Sequence, residues 1–273
     1  MKTRIISGAV AVALLIGVLV ANSFWSPTAV IFLALLSAVA AYEMLYKTGA
    51  VEFSAVTLSA MIYSFAVQFS YSGILPVEPR WLTICYVVVI IHFAINYHEK
   101  FKPEAIAFSL SMPLIISYAF SALGTLLNTP VYGMFYLVLL LNFSSLADCF
   151  AYFTGVAIGK HKLAPVISPK KTVEGAFGGI LGAVLGTVVI CLIFSSIIDG
   201  AEIKMLPLII ITPFMVIIGI MGDLFASVIK RHYGIKDYGA IMPGHGGVLD
   251  RFDSILILAP VLVYVLQILE VLF

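Results

Sequence analysis

Residues 206–253 read LPLIIITPFMVIIGIMGDLFASVIKRHYGIKDYGAIMPGHGGVLDRFD, a long apolar run that passes into a polar, glycine-rich segment. The apolar part, 206–229, is long enough to cross a bilayer, because a membrane-spanning helix needs about 20 mostly apolar residues. The polar part, 223–253, gathers four aspartates, two lysines, two arginines and two histidines in a chain of which only 11% is charged. A charged cluster is costly in so apolar a sequence, so this segment is the first candidate for a functional site.

The remainder of the 273-residue chain repeats the alternation of apolar runs and short polar connections. Its composition is 62% hydrophobic and its mean hydropathy is +1.12, well above the range of soluble globular proteins. We therefore expect an all-α, polytopic membrane helix bundle that forms a single integral membrane domain over 1–273. The nine predicted spans, joined by short loops, are roughly residues 5–21, 28–46, 55–75, 81–96, 104–127, 131–156, 175–197, 206–229 and 252–272.

The distribution of positive charge orients these spans. If Lys2 and Arg4 lie in the cytosol, alternation of the spans places thirteen of the fifteen lysines and arginines in cytosolic segments. Only Arg80 and Lys204 then lie on the opposite side, as the positive-inside rule predicts. We expect a multi-pass protein of the cell (inner) membrane with its N-terminus and polar loops in the cytosol. A cleaved signal peptide is the alternative for the first span, and it would leave the sides of the other spans unchanged.

Asp148 and Glu43 are acidic residues inside predicted spans. Asp148 lies deep in the sixth span, where a carboxylate faces protein or water, so it is a candidate functional residue. The alternative is that Asp148 pairs with a lysine in a helix–helix contact. Glu43 lies near the end of the second span, where it would either line a cavity or, in the simpler interpretation, reach the interface beside Lys47.

A short basic loop precedes the seventh span, where residues 168–175 read SPKKTVEG. Thr172 is placed to cap the following helix, with Glu174 in its first turn. A helix N-terminus preceded by Lys170 and Lys171 suits the binding of a phosphate. The alternative is that the two lysines only set the topology or contact anionic lipid headgroups.

The seventh span carries a glycine stripe, because Gly178, Gly182 and Gly186 recur at every fourth residue. Such spacing permits close approach of a neighbouring helix, either within the bundle or across a dimer interface, and the sequence does not decide between them. The three cysteines, Cys85, Cys149 and Cys191, lie in apolar runs without metal-type spacing, which favours packing over disulfide or zinc sites.

The polar segment 223–253 has the residue types that surround a metal-bound polyphosphate. Asp223, Ser227 and Lys230 share one helical face, and Asp250 and Asp253 would stack on one face at the start of the last span. Mg²⁺ prefers a few carboxylates together with waters and phosphate oxygens, and basic side chains neutralise charge on a transferring phosphoryl group. Glycine-rich loops let backbone N–H groups approach an anion.

The same segment resembles the signature of a known family. The pattern S-x-I-K-R-x4-K-D-x-G-x2-M-P-x-H-G-G-V-x-D-R-F-D, over the roughly twenty-seven positions 227–253, resembles that of the phosphatidate cytidylyltransferases, also called CDP-diacylglycerol synthases. Residues 168–175 resemble a second conserved block of that family. Met242 departs from the pattern, since the family usually has leucine, isoleucine or phenylalanine there, and the change conserves volume.

The resemblance implies a reaction in which CTP and phosphatidic acid give CDP-diacylglycerol and pyrophosphate, with Mg²⁺ required and K⁺ as a possible second cation. The lipid phosphate would attack the α-phosphorus of CTP in line, and 131–273 would be the catalytic half. The resemblance implies catalytic roles for Asp223, Asp250, Lys230 and Arg251, and metal ligation by Asp223, Asp250 and Asp253. It implies substrate binding by Asp148, Ser168, Lys170, Lys171, Ser227, Arg231, Lys236 and His245.

The expected partners are CTP, phosphatidic acid, the lipid bilayer and a second copy of the chain in a homodimer, with no nucleic acid. Three other functions stay open at this point. A CTP-dependent lipid or polyprenol kinase would use similar parts, and a cation-coupled transporter would also explain buried acids beside broken helices. A non-catalytic lipid-binding scaffold would leave the many charges without a role.

Overall fold

The computed structural model describes residues 2–51, 54–198, 203–244 and 246–269, so the predicted site residue His245 lies outside the described part of the chain. Within these ranges the apolar runs form helices. Their bounds are α1 (Lys2–Phe24), α2 (Pro27–Tyr42), α3 (Ser54–Tyr71), α4 (Pro79–Asn96), α5 (Pro103–Leu127), α6 (Gly133–Leu141), α7 (Ala147–Ile158), α8 (Val173–Ile197), α9 (Met205–His232), α10 (Leu249–Phe252) and α11 (Ile255–Leu269).

The helices match the predicted membrane spans. Two of the predicted spans form apolar helices, Ala55–Tyr71 and Ile255–Ile268, that are shorter than the seven membrane-length helices of the described residues given below. The expected all-α membrane helix bundle is confirmed, and the chain is a multi-pass membrane protein, because helices satisfy their own backbone groups in lipid. Among the described residues, seven helices are long and apolar enough to cross a membrane: Ser7–Phe24, Pro27–Lys47, Pro79–Asn96, Pro103–Leu127, Gly133–Ile158, Val173–Ile197 and Met205–His232.

Local sequence explains several helix boundaries. Proline stands at the start of α2, α4 and α5, where its missing N–H is not needed for an intrahelical hydrogen bond. The Thr172 hydroxyl accepts a hydrogen bond from the N–H of Gly175 at 3.1 Å, which confirms the predicted N-cap of α8. Two π-helical turns, Glu43–Lys47 after α2 and Asn142–Leu146 between α6 and α7, interrupt the regular helices. Such turns frequently occur at functional sites.

The chain divides into two compact units. The first unit comprises Met1–Gly124 and His232–Phe252. Its apolar core is formed by buried side chains of α3, α4 and the segments next to them, including Val56, Tyr63 and Ile90. Polar groups in this core are paired, since the Gln68 side-chain amide donates to the carbonyl of Ser117 at 2.9 Å.

The second unit comprises Thr125–Arg231 and Asp253–Phe273. It contains a small antiparallel hairpin, β1 (Lys162–Ala164) and β2 (Ser168–Thr172), which the sequence analysis did not predict. Strand β2 leads directly into α8, so the basic residues of the SPKKT segment stand at the N-terminal end of that helix.

The glycine stripe of α8 is occupied within this unit. A Cβ atom added at Gly178 would lie 2.1 Å from the Thr154 hydroxyl, and one at Gly182 would lie 2.2 Å from the ring of Phe150. At Gly186 the added atom would lie 2.1 Å from Asn142 Oδ1. The stripe therefore packs α8 against α7 and the π-helical turn before it, within one chain. The predicted homodimer stays a prediction that rests on the family resemblance.

The last predicted span is not one continuous helix. Helix α10 ends at Phe252 and α11 begins at Ile255, with a turn between them. The prediction that Asp250 and Asp253 stack on one face of a single helix is therefore wrong, because the spacing rule applies only within a regular helix.

Candidate active site

Lysine and aspartate side chains from three elements meet in the second unit. Lys171, on β2, places its Nζ 2.5 Å from Oδ2 of Asp223 on α9. The same Nζ lies 3.9 Å from Oδ1 of Asp148 on α7. Asp148 therefore lies beside a lysine, as one of its two interpretations predicts. That lysine belongs to the basic loop predicted to bind phosphate, so the contact also agrees with a functional role for Asp148.

Asp253 extends this group of charges from the break between α10 and α11. The Nζ of Lys230, on α9, lies 3.8 Å from Asp253 Oδ2, and the Asp253 carboxyl donates a hydrogen bond to Asp223. Burial, and then the neighbouring charge of Asp223, raises the pKa of Asp253 from an ordinary value of 3.8 to about 7. Lys230 opposes that shift.

Gly222 explains how the break reaches α9. A Cβ atom added at Gly222 would lie 2.9 Å from the carbonyl oxygen of Ser254 and 3.1 Å from that of Asp253. Only a residue without a side chain therefore permits this approach, which brings Asp253 next to Asp223. We call Asp148, Lys171, Asp223, Lys230 and Asp253 the acid–lysine network.

The acid–lysine network has the chemistry of a site for one divalent cation and a phosphate. No three His, Cys, Asp or Glu side chains of the described residues are arranged to hold a metal ion by themselves. Mg²⁺ does not require such a cage, because it is usually bound by one or two carboxylates, several waters and substrate phosphates. The hydrogen-bonded Asp223 and Asp253 carboxyls supply such a pair, and a bound cation would relieve the repulsion between their negative charges.

An open cavity of about 490 Å³ adjoins this network within the second unit. One part of its lining is cationic, with Lys162, Lys170 and Lys171 beside the network residue Asp148. The other part is formed by small and apolar side chains, among them Ala151, Val156, Leu163, Ala176 and Ile220, and by the aromatic ring of Tyr152. Such a lining suits a molecule with an anionic head and an apolar body.

The polar loop of the first unit is organised around Asp250. Oδ2 of Asp250 accepts hydrogen bonds from the N–H groups of Tyr238 at 2.8 Å and Gly247 at 2.9 Å. Gly246 has φ +87°, a conformation that favours glycine, and an added Cβ there would lie 2.7 Å from the same oxygen. Asp250 thus fixes the fold of its own loop.

A second open cavity, of about 520 Å³, lies in this loop. The charged residues of its lining are all exposed, two of them cationic and one acidic: Lys236, Arg251 and Asp237. The remaining lining residues lie between Gly239 and Gly246, and half of them are glycine. Two cationic side chains and accessible backbone suit an anion that carries several phosphates.

Glu43 occupies a position in the structure that the simpler interpretation of the sequence did not predict. It is 1% exposed and its two carboxylate oxygens accept hydrogen bonds from the N–H groups of Val248 and Leu249, at 3.1 and 2.9 Å. The interpretation that Glu43 reaches the membrane interface beside Lys47 is wrong. The available signal was an acidic residue in an apolar span, which marks a functional candidate by default.

The other predicted site residues occupy different positions. Ser227 is buried on α9, and Ser168 begins β2 opposite Ala164. The exposed Arg231 donates from Nε to the carbonyl of Ile167 at 3.4 Å, which ties the end of α9 to the hairpin turn. Asp223 and Asp253 are together in the second unit, whereas Asp250 and Arg251 belong to the first unit.

Comparison with known proteins adds an independent observation. The sequence matches the model of the cytidylyltransferase family over residues 2–269. It is 32% identical over 273 residues to a phosphatidate cytidylyltransferase of Bacillus subtilis (strain 168), with 97% of each chain covered. A phosphatidate cytidylyltransferase of Thermotoga maritima is 42% identical over 136 residues, or 49% of each chain. One from Staphylococcus epidermidis is 37% identical over 176 residues, or 64% of each chain.

Proposed function

Because this chain belongs to the cytidylyltransferase family and is a membrane-bound nucleotidyltransferase, we propose that it converts CTP and phosphatidic acid into CDP-diacylglycerol and pyrophosphate. The observation that carries the proposal is the match to a named phosphatidate cytidylyltransferase over 97% of both chains. The acid–lysine network agrees with it, since phosphoryl-group chemistry depends on positioning and on neutralising charge.

The lipid substrate fits the cavity of the second unit. Its phosphate would contact Lys170, Lys171 and Lys162, and its glycerol and acyl chains would lie along the apolar part of the lining. Lys171 is already paired with Asp223, so a lipid phosphate that approaches it would compete with that carboxylate. Ser168 begins β2, and Arg231 at the end of α9 donates to the hairpin turn next to it, so both are proposed to orient the headgroup.

The nucleotide fits the loop of the first unit. Lys236 and Arg251 would contact the phosphates of CTP, and backbone N–H groups of the glycine-rich segment would add hydrogen bonds. His245 is proposed to orient the nucleotide on the basis of the sequence resemblance alone.

The proposed metal is Mg²⁺, with K⁺ as a second cation. Asp223 and Asp253 would hold Mg²⁺, and Asp250 is proposed as a further ligand on the basis of the sequence resemblance alone. Bound Mg²⁺ would neutralise charge on the CTP phosphates and on the departing pyrophosphate.

In the proposed transfer, an oxygen of the lipid phosphate forms a bond to the α-phosphorus of CTP while the bond from that phosphorus to the bridging oxygen breaks. Pyrophosphate leaves with the electron pair of the broken bond. Lys230 and Arg251 are proposed to stabilise the charge that develops on the phosphate oxygens. Ser227 lies one helical turn from Asp223 and Lys230 and is proposed to orient them.

The proposal places the reaction at the cytosolic face of the cell (inner) membrane. CTP is a cytosolic nucleotide, and the positive-inside distribution puts the basic loop and the glycine-rich segment on that side. Phosphatidic acid would then enter from the membrane leaflet. A homodimer is proposed from the resemblance.

Position-specific labelling of CTP tests the reaction against its nearest alternative. Purified protein in phosphatidate-containing micelles is supplied with Mg²⁺ and with CTP that carries ³²P at either the α- or the γ-phosphate. We expect the α-label to enter the lipid phase and the γ-label to appear in pyrophosphate. A lipid or polyprenol kinase would give the reverse pattern, with γ-label in the lipid and α-label in CDP.

A further inference from the structure

Glu43 holds the glycine-rich loop (residues 233–248, between α9 and α10) at two points. Its oxygens accept the N–H groups of Val248 and Leu249, which lie 205 and 206 positions further along the chain. Both donor residues are buried, with 3% and 0% of their surface exposed, so water does not offer these N–H groups an alternative partner.

Two glycines of the loop are packed directly against the same carboxylate. A Cβ atom added at Gly239 would lie 2.3 Å from Glu43 Oε1, and one added at Gly247 would lie at the same distance, 2.3 Å, from that oxygen. The side chain of Glu43 therefore occupies the space between the loop segments around Gly239 and Gly247. A side chain larger than hydrogen at either glycine would displace it.

The loop is closed by a second carboxylate from its own end. Asp250 accepts the N–H groups of Tyr238 and Gly247, and the N–H of Met242 donates to the carbonyl of Gly246 at 2.9 Å. Four backbone N–H groups of the loop and α10 are thus fixed by two carboxylates. Asp250 stands in α10, directly after the loop, whereas Glu43 begins the π-helical turn that follows α2.

We propose that Glu43 is a positioning residue for the nucleotide. It sets the conformation of the glycine-rich loop and of the start of α10, so that Lys236 of the loop and Arg251 of α10 contact the phosphates of CTP. This inference rests on the proposed function, and it gives the N-terminal spans a part in the site. Glu43 does not touch the substrate, because it is buried beneath the loop and absent from the lining of the loop cavity.

The test is Glu43→Gln, which keeps the size of the side chain but replaces one acceptor oxygen by an NH₂ group. That group would face a backbone N–H, so one of the two hydrogen bonds is lost. We expect the KM for CTP to rise roughly tenfold, because the free energy of one lost hydrogen bond to a charged group corresponds to at least a factor of about ten in an equilibrium constant. The KM for phosphatidic acid should stay within about twofold, because its proposed contacts share no residue with this loop.

Gln68→Ala is the matched control, since Gln68 is a buried polar residue of the same unit that hydrogen-bonds α5. It should lower stability without a selective effect on CTP. Gly239→Ala is a second variant that should reproduce the Glu43→Gln phenotype by displacing the same carboxylate. The inference would be overturned if Glu43→Gln changed the KM for CTP and the KM for phosphatidic acid equally and Gln68→Ala did the same. Glu43 would then be an ordinary core residue.

Limited trypsin digestion gives a readout that does not depend on activity. Lys236 is an exposed cleavage site in the loop, and we expect it to be cut faster in Glu43→Gln than in the wild type or Gln68→Ala. Unchanged cleavage would contradict the positioning role. If the wild type makes no cytidylyl lipid, the proposed function fails, and the digestion result still decides whether Glu43 holds the loop.

Discussion

Lys171 is the residue on which the acid–lysine network depends most. Its ammonium lies 2.5 Å from Asp223 and 3.9 Å from Asp148, and its side chain is mostly buried. Lys171→Met should destabilise the protein by roughly 1.5–3 kcal/mol, the cost of removing a hydrogen bond to a charged group. Thermal unfolding in detergent measures the effect, and the neighbouring exposed Lys170 provides the control variant Lys170→Met.

The double variant Lys171→Met/Asp223→Asn separates the pair from general damage. Removing both members of this pair leaves neither of them without its partner, so the destabilisation should be clearly smaller than the sum of the two single effects. Simple additivity would show that the two side chains do not interact in the folded protein.

The raised pKa of Asp253 gives a pH dependence of stability. An acid whose folded-state pKa of about 7 lies above its ordinary value of 3.8 stabilises the fold fully below the lower value and loses that contribution as pH rises through the upper one. With EDTA present to remove divalent cations, the unfolding temperature should therefore fall between about pH 5 and pH 8.

Asp253→Asn should flatten that dependence, because the amide does not titrate. The exposed loop residue Asp237 provides the matched control, and Asp237→Asn should retain the slope of the wild type. An Asp253→Asn protein with the wild-type slope would place the titrating group elsewhere.

At the scale of single residues, the sequence predicted charged side chains better than it predicted their partners. Five charged residues were singled out, for the cost of charge in an apolar chain, for helical spacing, for a basic loop before a helix or for the family resemblance. The structure brings these five together: Asp148, Lys171, Asp223, Lys230 and Asp253. Glu43 could not be interpreted in the same way, because its partners are backbone N–H groups more than two hundred positions away. Backbone groups leave no signal in side-chain patterns.

The contact between α7 and α8 is set by glycine at the scale of elements. Gly182→Ala would place a methyl group 2.2 Å from a ring carbon of Phe150, which the ring cannot avoid without separating the helices. Overpacking of this kind costs about 1–3 kcal/mol. Gly17→Ala on α1 is the control, since its added Cβ would meet no atom within 4 Å.

We expect Gly182→Ala to lower the unfolding temperature in detergent and Gly17→Ala to leave it unchanged or raise it slightly, as alanine favours helices over glycine. Equal stability of the two variants would mean that the close approach of α7 and α8 contributes little to the fold.

Hydropathy predicted where the helices lie along the chain, but it did not predict where a helix is interrupted. Each of the nine predicted spans corresponds to an apolar helix of the described chain, because a run of apolar residues has few other stable states in a bilayer. The interruption after Phe252 depends on the approach of two carbonyl groups to Gly222, a tertiary contact that a local pattern does not contain. The hairpin of β1 and β2 is too short to have a period.

The orientation of the whole molecule is a prediction from charge alone. In a background with Cys85, Cys149 and Cys191 replaced, a single cysteine introduced as Lys236→Cys or Arg80→Cys reports the side of each segment. A membrane-impermeant maleimide added to intact cells should label the Arg80→Cys protein and not the Lys236→Cys protein. Permeabilised cells should show labelling of both, because both positions are exposed. The reverse result in intact cells would place the proposed site on the side without cytosolic CTP.

The most direct measurement for the molecule as a whole is the amount of pyrophosphate released for each CDP-diacylglycerol formed. Purified protein receives CTP, phosphatidic acid and Mg²⁺, and both products are quantified over the same interval. Cytidylyl transfer predicts equal amounts of the two products, and neither product when CTP or phosphatidic acid is omitted. CTP consumption that yields CDP or inorganic phosphate, or pyrophosphate release without the cytidine-bearing lipid, would contradict it.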